Sequence, residues 1–417
     1  MNASKVKDPY LRLRLGCYTC NVSMSVISNL SPILFLTFRA LYGISYSLLG
    51  LLVLANFITQ LTVDLIFSFF SHRFNIPKAV KFAPVLCIIG FAIYAIWPWI
   101  FPDSVYTGLI IGTVLFSASS GFCEVLISPV IAAIPSEDPD REMSKLHSIY
   151  AWGCVGMVIV STVFLLIAGM HNWQWLAILF LIVPLSAIIL FSGVQIPQME
   201  SPERVSGALR LLKNKNLWLC TFAIFLGGAT ECTMAQWCSG YAEKALGIDK
   251  IWGDLFGVAA FGATLGLGRS LYAKMGSNIG KVLFVGGVGA TCCYFIAAIT
   301  SVPVIGLIAC GLTGLCASMM WPGCLVVAPE RIAQGGVFIY AMMAAGGDLG
   351  ASVGPQLVGL VTDSAILSPW AAELATQWSL APEQLGMKLG MLVGMLFPLI
   401  GTGVYFYIMK TQKKQVV

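Results

Sequence analysis

The sequence contains little charge. Only 10% of its 417 residues are Asp, Glu, Lys or Arg, whereas 58% are hydrophobic. An average soluble protein has about 25% charged residues, and a soluble chain of this length would divide into two or three domains. No polar linker long enough to separate such domains is present. We therefore expect a polytopic helical membrane protein, because an open sheet or an exposed loop cannot satisfy its backbone hydrogen bonds in lipid.

Motifs of soluble enzymes are scarce as well. The chain has no Walker loop, no HExxH motif and no paired-CxxC zinc motif, so we expect neither ATP coupling, nor an enzyme, nor a metal site. Its 13 cysteines include many inside apolar runs, and we interpret them as small packing residues rather than disulfide partners. We expect no cofactor apart from a coupling proton, and no nucleic-acid partner.

Long apolar runs are what the sequence has in abundance. About 20 such residues cross a bilayer, and runs of this kind occur twelve times, at about 14–36, 45–70, 80–101, 105–134, 146–169, 173–194, 216–241, 251–273, 279–300, 303–327, 335–361 and 386–410. The longest charged interval, 195–215, divides them six and six. This spacing predicts an N-terminal bundle over 1–194, a central loop over 195–215 and a C-terminal bundle over 216–417.

The basic residues predict the orientation of these spans. With both termini in the cytoplasm, 20 of the 24 Lys and Arg residues lie on the cytoplasmic side, and only Arg39, Lys244, Lys250 and Lys388 lie outside. Such a bias is typical of membrane topology, so the net charge of +5 does not indicate nucleic-acid binding. We expect a monomeric multi-pass protein of the bacterial inner (plasma) membrane, with cytoplasmic termini.

The two halves of the chain repeat one another weakly. Cys123-Glu124 with Pro129 in the fourth span is matched, 193 residues later, by Cys316-Ala317 with Pro322 in the tenth span. A six-plus-six topology with parallel repeats is typical of secondary transporters that work by alternating access.

Several motifs make the chain similar to the major facilitator superfamily over essentially its whole length. Arg73-Phe-Asn-Ile-Pro-Lys78 lies where that superfamily has a basic loop between helices two and three. Gly121-Phe-Cys-Glu124 with Pro129 resembles the fourth helix of the fucose-permease-like sugar:proton symporters, and Gly227-Gly-Ala-Thr-Glu231 resembles their seventh. The resemblance implies an all-α fold of two pseudo-symmetric six-helix bundles, with Glu124 as the proton-coupling carboxylate.

The sequence departs from that family in helix one. Family members carry an Asn-Asp pair there, four residues before a proline, and counting back from Pro32 places Ser28 at this position. A proton path with two carboxylates therefore does not carry over unchanged, and an uncoupled uniporter stays open as an alternative.

Acidic residues inside the apolar spans are functional candidates, since an ionisable side chain in a membrane helix is costly. Glu124, with Ser128 one turn later, is the first of them, because a desolvated carboxyl group can load and release a proton; the alternative is a hydrogen bond that holds the bundle together. Glu231 precedes Gln236-Trp237, and a carboxylate, an amide and an indole together suit a sugar. Trp237 has an interfacial position as its alternative.

The other polar candidates each have two interpretations. Gln60 and Asp64 continue a polar stripe on helix two that either lines an aqueous path or contributes a structural charge to a gate. Asp348, in glycine-rich helix eleven, is either a gate partner or a site residue. His147, at the start of helix five, suits proton exchange, with contact to a loop as the alternative.

Four further residues complete the predicted site and gate. Asn21 and Ser25, one turn apart on helix one, are candidate binders of substrate hydroxyl groups, and Trp321 in helix ten is a candidate for stacking unless it only packs. Arg269 either braces the second half's copy of the gate loop, the counterpart of the loop that holds Arg73, or extends to the lipid headgroups.

Taken together, the sequence predicts a secondary active transporter that takes up a monosaccharide or polyol with a proton. The alternatives are an exporter of drugs or metabolites with the same fold, and an uncoupled sugar uniporter. A membrane sensor is disfavoured, because the soluble stretches are too short for an effector domain.

Overall fold

The computed structural model describes residues 9–70, 73–135, 139–197, 212–275, 278–332 and 336–411. Within these ranges some residues, among them Ser128 and His147, are described by their backbone alone. Every regular element in the described ranges is helical, which confirms the predicted all-α class.

In the described ranges, twelve long helical segments follow one another in the predicted order. In the first half they are α1 (Leu11–Ile33 and Phe35–Tyr42), α2 (Tyr46–Phe70), α3 (Ile76–Ile100), α4 (Val105–Ala132), α5 (Pro139–Ala168) and α6 (Trp173–Phe180 and Ile182–Phe191). In the second half they are α7 (Lys215–Leu246), α8 (Lys250–Gly253, Asp254–Ala259 and Ala260–Met275), α9 (Ile279–Ile299), α10 (Pro303–Ala317 and Met320–Arg331), α11 (Gly336–Leu367) and α12 (Pro382–Gly394 and Leu396–Thr411). A short helix, Pro369–Gln377, connects α11 to α12.

These helices are long and apolar enough for a membrane protein. Among the described residues, ten helices pass this test alone, and the bent α1 raises the number to eleven. The remaining helix, α11, has 32 residues, which is more than a bilayer requires. The prediction of a multi-pass integral membrane protein is confirmed.

Several helices extend beyond the apolar runs that predicted them. α7 continues from the predicted end at 241 to Leu246, α11 continues from 361 to Leu367, and α5 begins at Pro139 rather than at 146. Hydropathy marks only the part of a helix that lies in hydrocarbon, whereas the backbone hydrogen bonds continue into the headgroup region. The predicted boundaries at these three positions were therefore too short.

Among the interrupted helices of the described ranges, α1, α8 and α10 each contain an irregular turn. α1 bends by 43° at Leu34, two residues after Pro32, which has no backbone N–H to donate. α10 breaks between Ala317 and Met320, and α8 contains a π-helical segment, Asp254–Ala259. Irregular turns of this kind re-aim the side chains beside them.

The helices pack as two sets that meet along two seams. Within the first set α1 packs on α5 and α6, and α4 packs on α2 and α3; within the second set α11 packs on α7 and α12, and α10 packs on α8 and α9. The sets meet where α2 packs on α11 and α5 packs on α8. We call the membrane side on which α1 begins and α12 ends the near end, and the opposite side the far end.

Candidate functional site

Three carboxylates from three helices form one cluster at the α2–α11 seam. Asp64 of α2, Glu124 of α4 and Asp348 of α11 each place an oxygen within 4.8 Å of the others. Asp64 and Asp348 are each only 2% exposed, and Glu124 is partly buried. The first two acids belong to one half of the molecule and Asp348 to the other, so the cluster connects the halves.

This cluster requires a proton or a cation. Among the described residues no donor reaches Asp348 Oδ2, and an oxygen of Asp64 lies within 4.8 Å of an oxygen of Asp348. A hydrogen bond between these two carboxyl groups forms only when one of them carries a proton. With all three ionised, each pair would repel by roughly 3–4 kcal/mol at an effective dielectric constant near 20.

Glu231 forms an ion pair with Arg269. Arg269 Nη2 lies 3.1 Å from Oε1 and 3.2 Å from Oε2 of Glu231, and its Nε donates to the Ser318 carbonyl at the break in α10, at 3.1 Å. The Arg269 side chain is 32% exposed and the Glu231 side chain is 16% exposed. The pair joins α7 to α8 and α10, so Arg269 faces the interior of its bundle rather than the headgroups.

The ion pair and the carboxylate cluster are close neighbours. Cys232, next to Glu231 on α7, interacts electrostatically with Glu231, Arg269 and Asp348. Tyr150 of α5 lies close to Glu231 of the other half and to Ser28 of α1. Charged groups that were predicted on five different helices are thus brought together between the two halves.

Gln236 and Trp237, which were predicted to bind sugar, lie where the two halves of the molecule meet. Gln236 Nε2 donates to the Ser28 carbonyl of α1 at 3.1 Å. Trp237 is 1% exposed and its Nε1 donates to the Pro355 carbonyl at 2.9 Å. An interfacial belt position for Trp237 is therefore wrong, because the indole is enclosed by protein.

A small cavity lies beside Gln236, between α1, α2, α4 and α7. Its volume of about 10 Å³ is close to the minimum that holds one water molecule. Ser28, Ser31 and Asn56 of the first half and Gln236 of the second half contribute its polar lining. Gln236 Oε1 is buried and has no donor among the described residues, so a polar acceptor faces this space.

The predicted hydroxyl binders on helix one are engaged in packing. Asn21 Nδ2 donates to the Leu146 carbonyl at 2.7 Å, and Ser25 Oγ donates to the Tyr150 carbonyl at 2.8 Å. Both contacts attach α1 to α5, a neighbour within the same bundle. In this conformation their polar groups are used between helices, and a role in binding substrate stays a prediction.

Gln60 of α2 and Trp321 of α10 both contact neighbouring helices. Gln60 Oε1 accepts from Ser120 of α4 at 3.0 Å, while its Nε2 is buried without an acceptor among the described residues. The Trp321 indole is partly buried and lies against Gly228 and Gly347, where a Cβ atom would collide with the ring. The glycines of α7 and α11 therefore make the space that Trp321 occupies.

Arg73 and His147 are the remaining gate candidates. Arg73 is exposed in the turn after α2, with its guanidinium carbon 5.5 Å from the centre of the Phe70 ring. The side chains of His147 and Ser128 lie outside the described part of the structure.

Residues that sequence reasoning missed close the far end of the seam. Arg39 Nε lies 3.1 Å from Glu383 Oε1, and Asp363 accepts from the backbone of Tyr46 and Ser47. Asp363 was placed outside helix eleven and Arg39 was counted only as a topology marker. A signal was available in the concentration of opposite charges at the ends of helices one, eleven and twelve.

Residues 17–355 match the family model of the Major Facilitator Superfamily. The match covers most of the chain, and the chain belongs to this superfamily. It is therefore a transporter that carries a small molecule through the membrane, and not an enzyme. The predicted superfamily and fold are confirmed. A search of curated proteins returned no match to the sequence.

Solved structures show the same fold at low sequence identity. The chain is similar to a bacterial homologue of the human lysosomal transporter Spinster in an inward-facing, unoccupied conformation, with 15% identity, a TM-score of 0.73 and 98% of each chain covered. It is similar to a D-xylose-proton symporter, with 18% identity, a TM-score of 0.68 and coverage of 95% and 97%. It is also similar to the Escherichia coli fucose:proton symporter, with 15% identity, a TM-score of 0.58 and coverage of 94% and 99%.

One enzyme-like stretch is explained by its surroundings. Gly350-Ala-Ser352-Val-Gly354 matches the G-x-S-x-G pattern of hydrolases, which requires an exposed serine on a strand-to-helix turn. Ser352 is instead fully buried inside α11, and its Oγ donates to the Asp348 carbonyl at 2.7 Å. This serine serves helix packing.

Proposed function

We propose that the protein is a secondary active transporter that takes up a small polyhydroxylated solute, a monosaccharide or a polyol, together with a proton. The observation that carries this proposal is the cluster of Asp64, Glu124 and Asp348, whose oxygens lie within 4.8 Å of one another and come from both halves. A transporter that couples protons to alternating access needs titratable groups whose contacts differ between its conformations.

The cluster supplies such groups in place of the acid that is missing from helix one. A protonated cluster allows the hydrogen bond between Asp64 and Asp348 and so favours contact between α2 and α11. When the proton leaves, the negative charges on the two halves repel each other. Glu124 is the group that exchanges the proton, because it is less enclosed than its two partners.

The polar lining of the small cavity supports a hydroxylated substrate. Ser28, Asn56 and Gln236 combine donors and acceptors, and hydroxyl groups of sugars also donate and accept. The cavity becomes a binding site when the halves separate, since its walls come from both of them. Glu231, Trp237 and Trp321 are the further residues of the proposed site.

The orientation and setting of the transporter follow from its charges. We place both termini in the cytoplasm of a bacterial cell, with Arg39 and Lys250 on the outer side, because most basic residues then face inward. The substrate enters from the far end and leaves at the near end, carried by a monomer.

The experiment begins with identification of a ligand. Purified protein is screened by thermal shift against L-fucose, D-xylose, sorbitol and related compounds, and against amphipathic drugs. Stabilisation by hydroxylated compounds alone supports the proposal, because a ligand that binds the native state raises its stability. Stabilisation by drugs alone supports an exporter instead.

Proteoliposomes then test the coupling. In Glu124→Gln we expect loss of uptake driven by a pH gradient, while counterflow of the same sugar persists, since exchange needs no net proton movement. Glu373→Gln, at an exposed acid on the short helix after α11, is the matched control and keeps both activities. If Glu124→Gln leaves both activities unchanged, Glu124 is not the coupling residue; if the wild type moves no protons, the protein is a uniporter.

A further inference from the structure

At the far end of the α2–α11 seam, a carboxylate of one half completes a helix of the other. Asp363 of α11 accepts from Tyr46 N at 3.2 Å through Oδ1, and from Ser47 N and Ser47 Oγ at 2.6 Å each through Oδ2. Tyr46 and Ser47 are the first two residues of α2. The first turn of α2 thus uses an acceptor that the opposite bundle provides.

A helix normally takes this acceptor from its own N-cap residue, since its first N–H groups have no partner within the helix. Ser45 precedes α2, but within the described part of the chain its Oγ accepts only from Leu48 N, at 3.3 Å. The N–H groups of Tyr46 and Ser47 therefore depend on Asp363. A carboxylate at this position is also favoured by the positive end of the helix dipole.

A second acid reinforces the same contact. Glu383 Oε1 of α12 accepts from the Tyr46 hydroxyl at 2.6 Å and from Arg39 Nε at 3.1 Å. Arg39 also lies over the Tyr46 ring, with its guanidinium carbon 4.1 Å from the ring centre. Arg39 and Tyr46 belong to the first half, and both acids belong to the second.

The backbones of the two halves approach closely beside these acids. A Cβ atom on Gly359 of α11 would lie 2.5 Å from the Tyr46 carbonyl oxygen, so only glycine permits the observed spacing. Gln356 Nε2 donates to the Ser47 carbonyl at 3.4 Å, one turn away. The far end of the α2–α11 seam is therefore closed by direct contact between the two helices.

We propose that Asp363 is a gate residue for alternating access: it caps α2 from the opposite half and holds the far end closed. Glu383 with Arg39 and Tyr46 is the auxiliary part of this gate. Opening the far end leaves the N–H groups of Tyr46 and Ser47 without their acceptor and separates the Arg39–Glu383 ion pair. Closing it forms these contacts again. This assignment depends on the transporter fold and not on the identity of the substrate or on proton coupling.

The assignment is tested by hydrogen–deuterium exchange with mass spectrometry, on the full-length protein in detergent and without ligand. The variants are Asp363→Ala, which removes the cap, and Asp363→Asn, which keeps one acceptor oxygen. Glu373→Ala removes an exposed acid at the same end of the molecule and is the matched control. Size-exclusion chromatography establishes that each variant is monodisperse.

For Asp363→Ala we expect exchange at 45–50 to rise roughly five-fold or more, the effect of removing a typical N-cap. Exchange also rises in the far-end segments 35–42 and 355–365, and falls at the near ends of α4 and α10, because far-end opening closes the near end. Asp363→Asn gives a smaller change in the same direction, and Glu373→Ala gives none.

Two results would overturn the proposal. Faster exchange confined to 45–50 would make Asp363 a local cap without control of the gate. Unchanged exchange in both Asp363 variants would show that the far end is held by other contacts. If Asp363→Ala fails to fold, Glu383→Gln decides the matter, since it leaves the cap intact and is expected to raise exchange at 35–42 and 355–365; no rise there would refute the gate.

Discussion

The ion pair between Glu231 and Arg269 gives a prediction whose size follows from its geometry. Arg269 Nη2 faces both carboxylate oxygens at 3.1 and 3.2 Å. Two unit charges about 4 Å apart attract by about 4 kcal/mol at an effective dielectric constant of 20. Because the Arg269 side chain is 32% exposed, solvent screening reduces this value, and we expect a coupling of about 2 kcal/mol, or a factor of about 30 in an equilibrium constant.

A double-mutant cycle measures this coupling. The free energy of unfolding is compared among the wild type, Glu231→Gln, Arg269→Gln and the double variant, with unfolding followed by tryptophan fluorescence in one detergent. Each single variant leaves a partly buried charge without its partner. The losses of unfolding free energy in the two single variants are therefore expected to add up to more than the loss in the double variant. The pair Glu243–Lys244, at 3.3 Å on the far end of α7, is the control and is expected to show little coupling.

The outcome bears on the site as well as on stability. A coupling within about 0.5 kcal/mol of zero, the usual limit of additivity, would refute the argument that these charges depend on each other. An equal loss of ligand binding in Arg269→Gln, Glu231→Gln and the double variant would show that Arg269 acts on binding through Glu231.

Two further substitutions test the packing of the seams. Gly359→Ala places a methyl group 2.5 Å from the Tyr46 carbonyl oxygen and is expected to raise hydrogen exchange at 45–50. Gly403 has open space around it, so Gly403→Ala is the control and is expected to leave the exchange unchanged. Equal effects of the two variants would contradict the close-contact argument. Asn21→Ala loses the bond of 2.7 Å to the Leu146 carbonyl, so we expect a loss of about 1–3 kcal/mol of stability with unchanged ligand affinity. Weaker binding at unchanged stability would instead support the predicted substrate contact.

The proposed proton site and the proposed far gate lie on the same pair of helices. Asp363 and Glu383 accept from N–H and O–H donors, so the far contact does not depend on a hydrogen bond between two carboxyl groups. Asp64 and Asp348 can bond to each other only through a proton. A proton that binds or leaves can therefore change the contact between Asp64 and Asp348 while the contact between Asp363 and α2 stays the same. This difference is a physical basis for opening one end of the seam and not the other.

The sequence alone determined the membrane class, the twelve helices, the superfamily and the list of acids inside the helices. Short motifs indicated the superfamily, and hydropathy decided the rest, because the bilayer imposes its length on each span regardless of what the span packs against. Glu124, Asp64 and Asp348 were recognisable for the same reason, since charges inside apolar runs are conspicuous.

Only the tertiary structure decided which of these groups meet. Asp64 and Asp348 are 284 positions apart in the chain, and no periodicity within one helix predicts a contact between two bundles. The same applies to Asp363 at the first turn of α2, because its partners are backbone N–H groups that every helix possesses. Polar residues such as Asn21 and Ser25 have the composition of a sugar site, yet the packing of α1 on α5 uses their hydrogen bonds first. Residue type decided what each side chain could bond to, and the relative position of the helices decided which bond it makes.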